Sequence, residues 1–119
     1  MSFDVVEQFE QRIAEFYGAP YAVAVDCCTH AVELCLRYKK IQKTSVPKHT
    51  YLSIPMTLEK LGLNWKFNDE EWIDYYKLED TNIIDAAVLW KSNSYIPETF
   101  MCLSFQYKKH LSLGRGGMI

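Results

Sequence analysis

The sequence predicts an α/β fold, three layers around a mostly parallel sheet, and three observations carry that prediction. Helix-like and strand-like segments alternate along most of the chain. The apolar run "YAVAV" at 21–25 lacks polar alternation, as expected of a strand covered on both faces. The amphipathic stretches between such runs are long enough to cross back over a sheet. With 119 residues, 49% of them hydrophobic and 24% charged, the chain suits a single domain over 1–119.

Val5, Phe9, Ile13 and Phe16 recur at helical spacing and predict a helix over 4–17, ended by Gly18 and Pro20. The strand at 21–25 follows. Val32, Leu34, Cys35, Leu36 and Tyr38 then predict a second helix over 29–41, which makes Asp26, Cys27, Cys28 and Thr29 a strand-to-helix turn. Free N–H groups and the positive dipole end make such a turn an anion site. On local evidence the plainer expectation is that Asp26 or Thr29 is simply the N-cap of that helix. "TSVP" predicts a short strand ending at Pro47, and Met56, Leu58 and Leu61 a third helix stopping at Gly62. "LNWKFND" reads as another strand, and the acidic, aromatic residues 69–80 as a surface turn with one helical turn.

"NIIDAAVLW" and "TFMCLSF" are two further strands. Beyond them Gly114, Gly116 and Gly117 fall within four positions, a pattern of backbone passing close to something or of a strand pairing onward. A sheet ending at "GGMI" would leave an open edge, which predicts a homodimer or a higher assembly.

A net charge of -2 without a basic tract argues against a nucleic-acid partner. The densest basic cluster, Arg37, Lys39, Lys40 and Lys43, falls at a helix end, where cations suit the dipole. No run approaches the roughly 20 apolar residues of a membrane span. The first residues are acidic early and lack a basic start, so no membrane partner or signal peptide is expected, and the location is expected to be cytoplasmic. The four cysteines form no CxxC pair and the three histidines are scattered, so reduced, buried thiols and no metal are expected.

Four segments, in order, resemble the amino-terminal part of the DegT/StrS family of sugar aminotransferases: "FEQRIAEFYGAPYAVAVDCCTHAVELCL", "VPKHTYLSIPMTLEKLGL", "IIDAAVLW" and "LSFQYKKHLSLGRGGMI". The likeness runs from Phe9 to Ile119. It implies a shortened large domain of the fold-type I enzymes, with pyridoxal phosphate as cofactor. The implied reaction moves an amino group from an amino-acid donor to a keto-sugar nucleotide.

The resemblance also implies roles, residue by residue. Counted from the Ser-Phe pair, Lys109 is the lysine that joins the cofactor covalently, with Lys108 as its neighbour. Asp85 matches the carboxylate that pairs with the pyridine nitrogen and keeps the ring able to accept electrons. Tyr51 falls where an aromatic ring stacks on the cofactor. Cys28 and Thr29 fall on the phosphate turn, and Ser104 on a serine that helps hold phosphate. By residue type alone, Lys108 and Lys109 are a solvated loop pair, Asp85 a turn residue at a strand end, and Tyr51 core.

Several positions depart from the family pattern. Cys28 stands where the family has glycine, and is expected to crowd phosphate or to demand an unusual φ. Val88 replaces a Gln or His that contacts the ring hydroxyl, and Gln106 replaces a His. Only a short acidic stretch joins "LNWKFND" to "NIIDAA", where the family carries at least one more strand-helix unit. Three functions fit: an aminotransferase, a shortened relative that binds or assembles without turnover, and a fragment completed by another chain.

Overall fold

The computed structural model describes residues 4–106 and 109–119; Lys108 lies outside the described residues. Helix α1, Asp4–Tyr17, forms as the spacing predicts, burying Ile13, Ala14 and Tyr17 and carrying Asp4 and Glu7 in its first turn, where the dipole favours acids. Gly18 closes it in the left-handed region at φ 74°.

Strand β1 is only Ala24–Val25, although Val23 and Ile119 also exchange backbone hydrogen bonds at 2.9 Å in both directions. Tyr21 and Val23 are 85% and 55% exposed. The apolar run is therefore not covered on both faces, because β1 lies at the edge of its sheet.

Helix α2 spans Cys28–Tyr38, and neither Asp26 nor Thr29 caps it. The cap is Cys27, extended at φ -163° and ψ 163°, whose sulfur accepts the His30 N–H at 3.4 Å. Asp26 is drawn instead to the His30 ring, and Thr29 already lies inside the first turn.

The remaining elements are β2 (Lys43–Pro47), α3 (Ser53–Lys60), β3 (Asn64–Asn68), β4 (Tyr76–Lys77), β5 (Ile83–Asp85), β6 (Phe100–Ser104) and β7 (Gly117–Met118). Residues 69–80 hold no helical turn. Their period is two: Tyr76 and Leu78 are buried on either side of exposed Lys77.

The main sheet has the order β1-β7-β6-β5-β4, and β2 and β3 form a separate pair. Only β5–β6 and β2–β3 are parallel; β1–β7, β6–β7 and β4–β5 are antiparallel. The α/β class holds, but the main sheet is mixed rather than mostly parallel. Apolar runs report burial and carry no direction, and the loop after β6 returns β7 antiparallel by pairing Phe105 with Gly116 at 2.9 Å. The "GGMI" strand sits between β1 and β6, so it leaves no open edge, and that argument for a dimer falls.

Alternation along β5 and β6 builds three layers. Ile83 and Cys102 face α2 and α3, packing with Val32, Leu36 and Leu58; Ile84, Met101 and Leu103 face α1, packing with Ile13 and Tyr17. Each large apolar side chain so buried contributes about 1.5–3 kcal/mol before entropy is counted. Tyr17 donates its hydroxyl to the Leu89 carbonyl at 2.6 Å, and burial pushes its pKa up to about 12.

Candidate functional site

Three elements converge at one end of the main sheet. The strand-to-helix turn brings Cys28 and Thr29, β5 brings Asp85, and β6 with its following loop brings Ser104 and Lys109. Together with Tyr51, Ser53 and Trp72 they line one cleft of about 260 Å³, whose wall also includes Ala87, Val88 and Gln106. All six residues implied by the resemblance thus border a single space. A second depression, about 170 Å³ between α1 and the β1 edge, is lined by no charged side chain.

Asp85 is the one buried carboxylate among the described residues, 7% exposed. Its Oδ1 accepts the Ala87 N–H at 3.1 Å. Burial raises its pKa, and the Ala87 N–H, the Tyr76 hydroxyl and the Lys109 ammonium oppose that rise. Lys109 is half-buried, with its own N–H donating to the Gln106 carbonyl at 2.9 Å. Tyr51 is 71% exposed and so is not core; its ring is free to meet a ligand.

The turn itself holds a polar group. Thr29 Oγ1 and Ser53 Oγ share a hydrogen bond at 2.7 Å, and the N–H groups of Cys28 and Thr29 have no acceptor among the described residues. Cys28 does not crowd this space by its backbone, since its φ is not positive. Its side chain is buried, donating Sγ–H to the Cys102 carbonyl at 3.4 Å, and burial first, then Asp85, pushes the thiol well above its ordinary range.

Asp26, Cys27 and His30 also bring three ligand-type atoms within 4.8 Å of one another. Local bonding accounts for them: the exposed His30 ring nitrogen donates to Asp26 at 2.7 Å, which lowers the Asp26 pKa, and Cys27 is engaged as the cap. All four cysteines are free thiols, and Cys27, unlike the expected buried set, is half-exposed.

Sequence reasoning missed Ser53, Trp72 and Tyr76. Ser53 lay two positions from Tyr51 in a quoted segment. The two aromatics were hidden in the acidic stretch, where alternation of Tyr76 and Leu78 was the available signal.

The donor set fits a phosphorylated pyridine aldehyde: hydroxyls and free N–H groups at a helix start, an amine, a buried carboxylate and an open aromatic face. The fold agrees. Spr1654 from Streptococcus pneumoniae, described as a sugar aminotransferase and solved in its PLP form, superposes with a TM-score of 0.74 at 14% identity, over 95% of this chain and 44% of that one. DesI, solved with its TDP-sugar product, gives 0.75 at 17%, over 99% and 41%.

The architecture is therefore that of fold-type I pyridoxal-phosphate aminotransferases. The family profile of the DegT/DnrJ/EryC1/StrS aminotransferases matches residues 1–89, and the chain belongs to that family. Pyridoxal phosphate is the cofactor that membership indicates. The spore coat polysaccharide biosynthesis protein SpsC of Bacillus subtilis (strain 168) is 34% identical over 99 residues, 80% of this chain and 25% of SpsC. The chain thus spans about a quarter of the length of that relative. The profile match carries Cys28, Thr29, Tyr51 and Asp85; Ser104 and Lys109 lie beyond it. No helix among the described residues is long and apolar enough to cross a membrane.

Proposed function

We propose that this chain is the cofactor-binding part of a pyridoxal-phosphate-dependent aminotransferase that moves an amino group from an amino acid to a keto-sugar nucleotide. The observation that carries this is the convergence of Lys109, Asp85, Thr29, Ser104 and Tyr51 on one cleft. When bound, the cofactor supplies an aldehyde for amine exchange and a ring that accepts electrons.

The chain's own groups divide the remaining work. Thr29, Ser104 and the free N–H groups at the start of α2 bind phosphate, favoured by the helix dipole. The Lys109 amine would hold the cofactor through its aldehyde and move a proton at Nζ. Asp85 holds a proton at the pyridine nitrogen, and Tyr51 covers the ring face. Cys28 lines the floor beneath the phosphate turn. The nucleotide-sugar substrate is supported by the family and by DesI, which was solved with such a product. The setting we infer is the cytoplasm, in a homodimer or higher assembly.

A second reading is favoured by the share of SpsC that the chain covers: the substrate side of the site comes from a further segment or a second polypeptide, and the chain alone binds cofactor without turnover. One experiment tests the cofactor reading. Protein mixed with pyridoxal phosphate is reduced with borohydride and the labelled peptide mapped by mass. Label is expected on Lys109, lost in Lys109→Ala and kept in Lys108→Ala. Equal labelling of both variants would overturn the assignment, and an amino-donor screen on unreduced, cofactor-loaded protein separates the two readings.

A further inference from the structure

A buried carboxylate needs donors, and the Ala87 N–H supplies Asp85 with only one. A second can come from β4. Tyr76 is the register partner of Asp85 across the antiparallel β4–β5 pair, so both side chains leave the sheet on the same face. Its ring is 2% exposed and packs against Trp72, with centroids 5.1 Å apart at 59°. Its hydroxyl shares a hydrogen bond with Thr50 Oγ1. A phenol has one hydrogen; Thr50 can give its own to the Tyr76 oxygen, which leaves the phenol hydrogen for the carboxylate.

We propose that Tyr76, backed by Thr50, is a positioning residue for Asp85: the chain from Thr50 through Tyr76 fixes the carboxylate's rotation and so the direction in which it meets a ring bound in the cleft. The consequence for catalysis rests on the cofactor reading above, whereas the geometry does not. A rigid donor matters because a carboxylate with one partner swings about its Cβ bond, and a misdirected oxygen loses its hold on a ring nitrogen.

Four titratable side chains face Asp85 from the elements around it: Tyr76 from β4, Cys28 from α2, Cys102 from β6 and Lys109 from the loop after β6. Two of them, Tyr76 and Lys109, lower its pKa against burial, and Tyr76 does so by hydrogen bonding. Removing the phenol hydroxyl leaves burial less opposed. The midpoint of Asp85 then rises, since a hydrogen bond to the charged form is gone.

The test uses the full chain without cofactor. The protonated Asp85 carboxyl band is followed by difference infrared spectroscopy against pH, identified by its absence in Asp85→Asn. Tyr76→Phe is expected to raise the midpoint by about one unit, a tenfold gain in proton affinity. Thr50→Val should move it the same way by less, and Thr50→Ser should restore the wild-type midpoint. An unchanged midpoint in folded Tyr76→Phe and Thr50→Val overturns the proposal. Should Tyr76→Phe fail to fold, the Thr50 pair decides alone.

Borohydride labelling is run beside it. Tyr76→Phe should need about tenfold more pyridoxal phosphate for half-maximal label on Lys109, the loss expected for one hydrogen bond to a charged group. No label in wild type would sink the cofactor reading while leaving the titration to decide on Tyr76.

Discussion

Asp85 and Cys28 show two ways in which a single side chain serves the core and a ligand at once. Cys28 stands at the strand-to-helix turn, yet its thiol points down into the core and donates to the Cys102 carbonyl, so the turn keeps its free N–H groups. Glycine there would remove core volume and add backbone freedom without opening the turn. Asp85 is the more costly residue. Burial raises its pKa above the ordinary carboxylate range despite Ala87, Tyr76 and Lys109. A carboxyl whose folded pKa lies above its unfolded one adds stability at low pH and loses it as the pH rises through the folded value. Asp85→Asn is uncharged throughout, so it is expected to melt a few degrees above wild type near pH 7. The gap should close once the pH falls below about 3.9, the usual aspartate value. Melting curves against pH check this; equal melting points near neutrality would mean that the carboxylate is fully compensated. The same variant should bind pyridoxal phosphate more weakly, a trade of stability for function.

At the level of elements, β7 explains the glycines. A Cβ on Gly117 would lie 2.6 Å from the Cys27 carbonyl carbon and 2.8 Å from the Cys28 nitrogen, so the strand runs directly against the turn that starts α2. Gly117→Ala must push β7 or the turn aside and is expected to cost about 2 kcal/mol or more. Gly114 has a positive φ of 78° but open space around it, so Gly114→Ala should cost only about 1 kcal/mol of backbone strain. Chemical denaturation of the two variants separates the effects, and equal losses would show that Gly117 is not a contact position. How much of this was legible follows from what each pattern encodes. The period of α1 appears in Val5, Phe9, Ile13 and Phe16, and its observed span is the expected one. Strand direction has no such trace: "YAVAV" looks like a doubly covered strand, yet it forms an edge with Tyr21 and Val23 exposed. β4 was hidden because its inward residue, Tyr76, and the buried Leu78 just beyond it sit among acids that dominate the local composition. Of the site, the segments that carried the resemblance were readable, while Tyr76, which sheet register alone brings beside Asp85, was not.

Across the whole molecule the cleft lies where two sheets meet. Its floor, Asp85 and Ser104, belongs to the main sheet; its wall, Tyr51 and Ser53, follows the strand β2 of the two-stranded sheet. The join between them is polar as well as apolar. Glu79, just beyond β4, gives its N–H to the Ser45 carbonyl at 3.1 Å, takes the Thr44 hydroxyl on its own carbonyl at 2.9 Å and accepts the Ser45 hydroxyl on its carboxylate. Asn68 of β3 donates to the same Ser45 oxygen at 2.8 Å, so one fully buried serine links both strands of the small sheet to the large one. Glu79→Ala keeps the backbone bonds but strips the Ser45 hydroxyl of its acceptor, a loss of about 1–3 kcal/mol. Because that loss falls at the join, hydrogen exchange in β2 and β3 is expected to speed up by about ten- to a hundredfold while β5 and β6 hold their rates. Equal acceleration in both sheets would show that they open as one unit. A ligand that touches Tyr51 on one side and Asp85 on the other bridges the two sheets. Saturating pyridoxal phosphate should therefore slow β2 and β3 exchange in Glu79→Ala more than in wild type, since binding supplies the connection that the substitution removed.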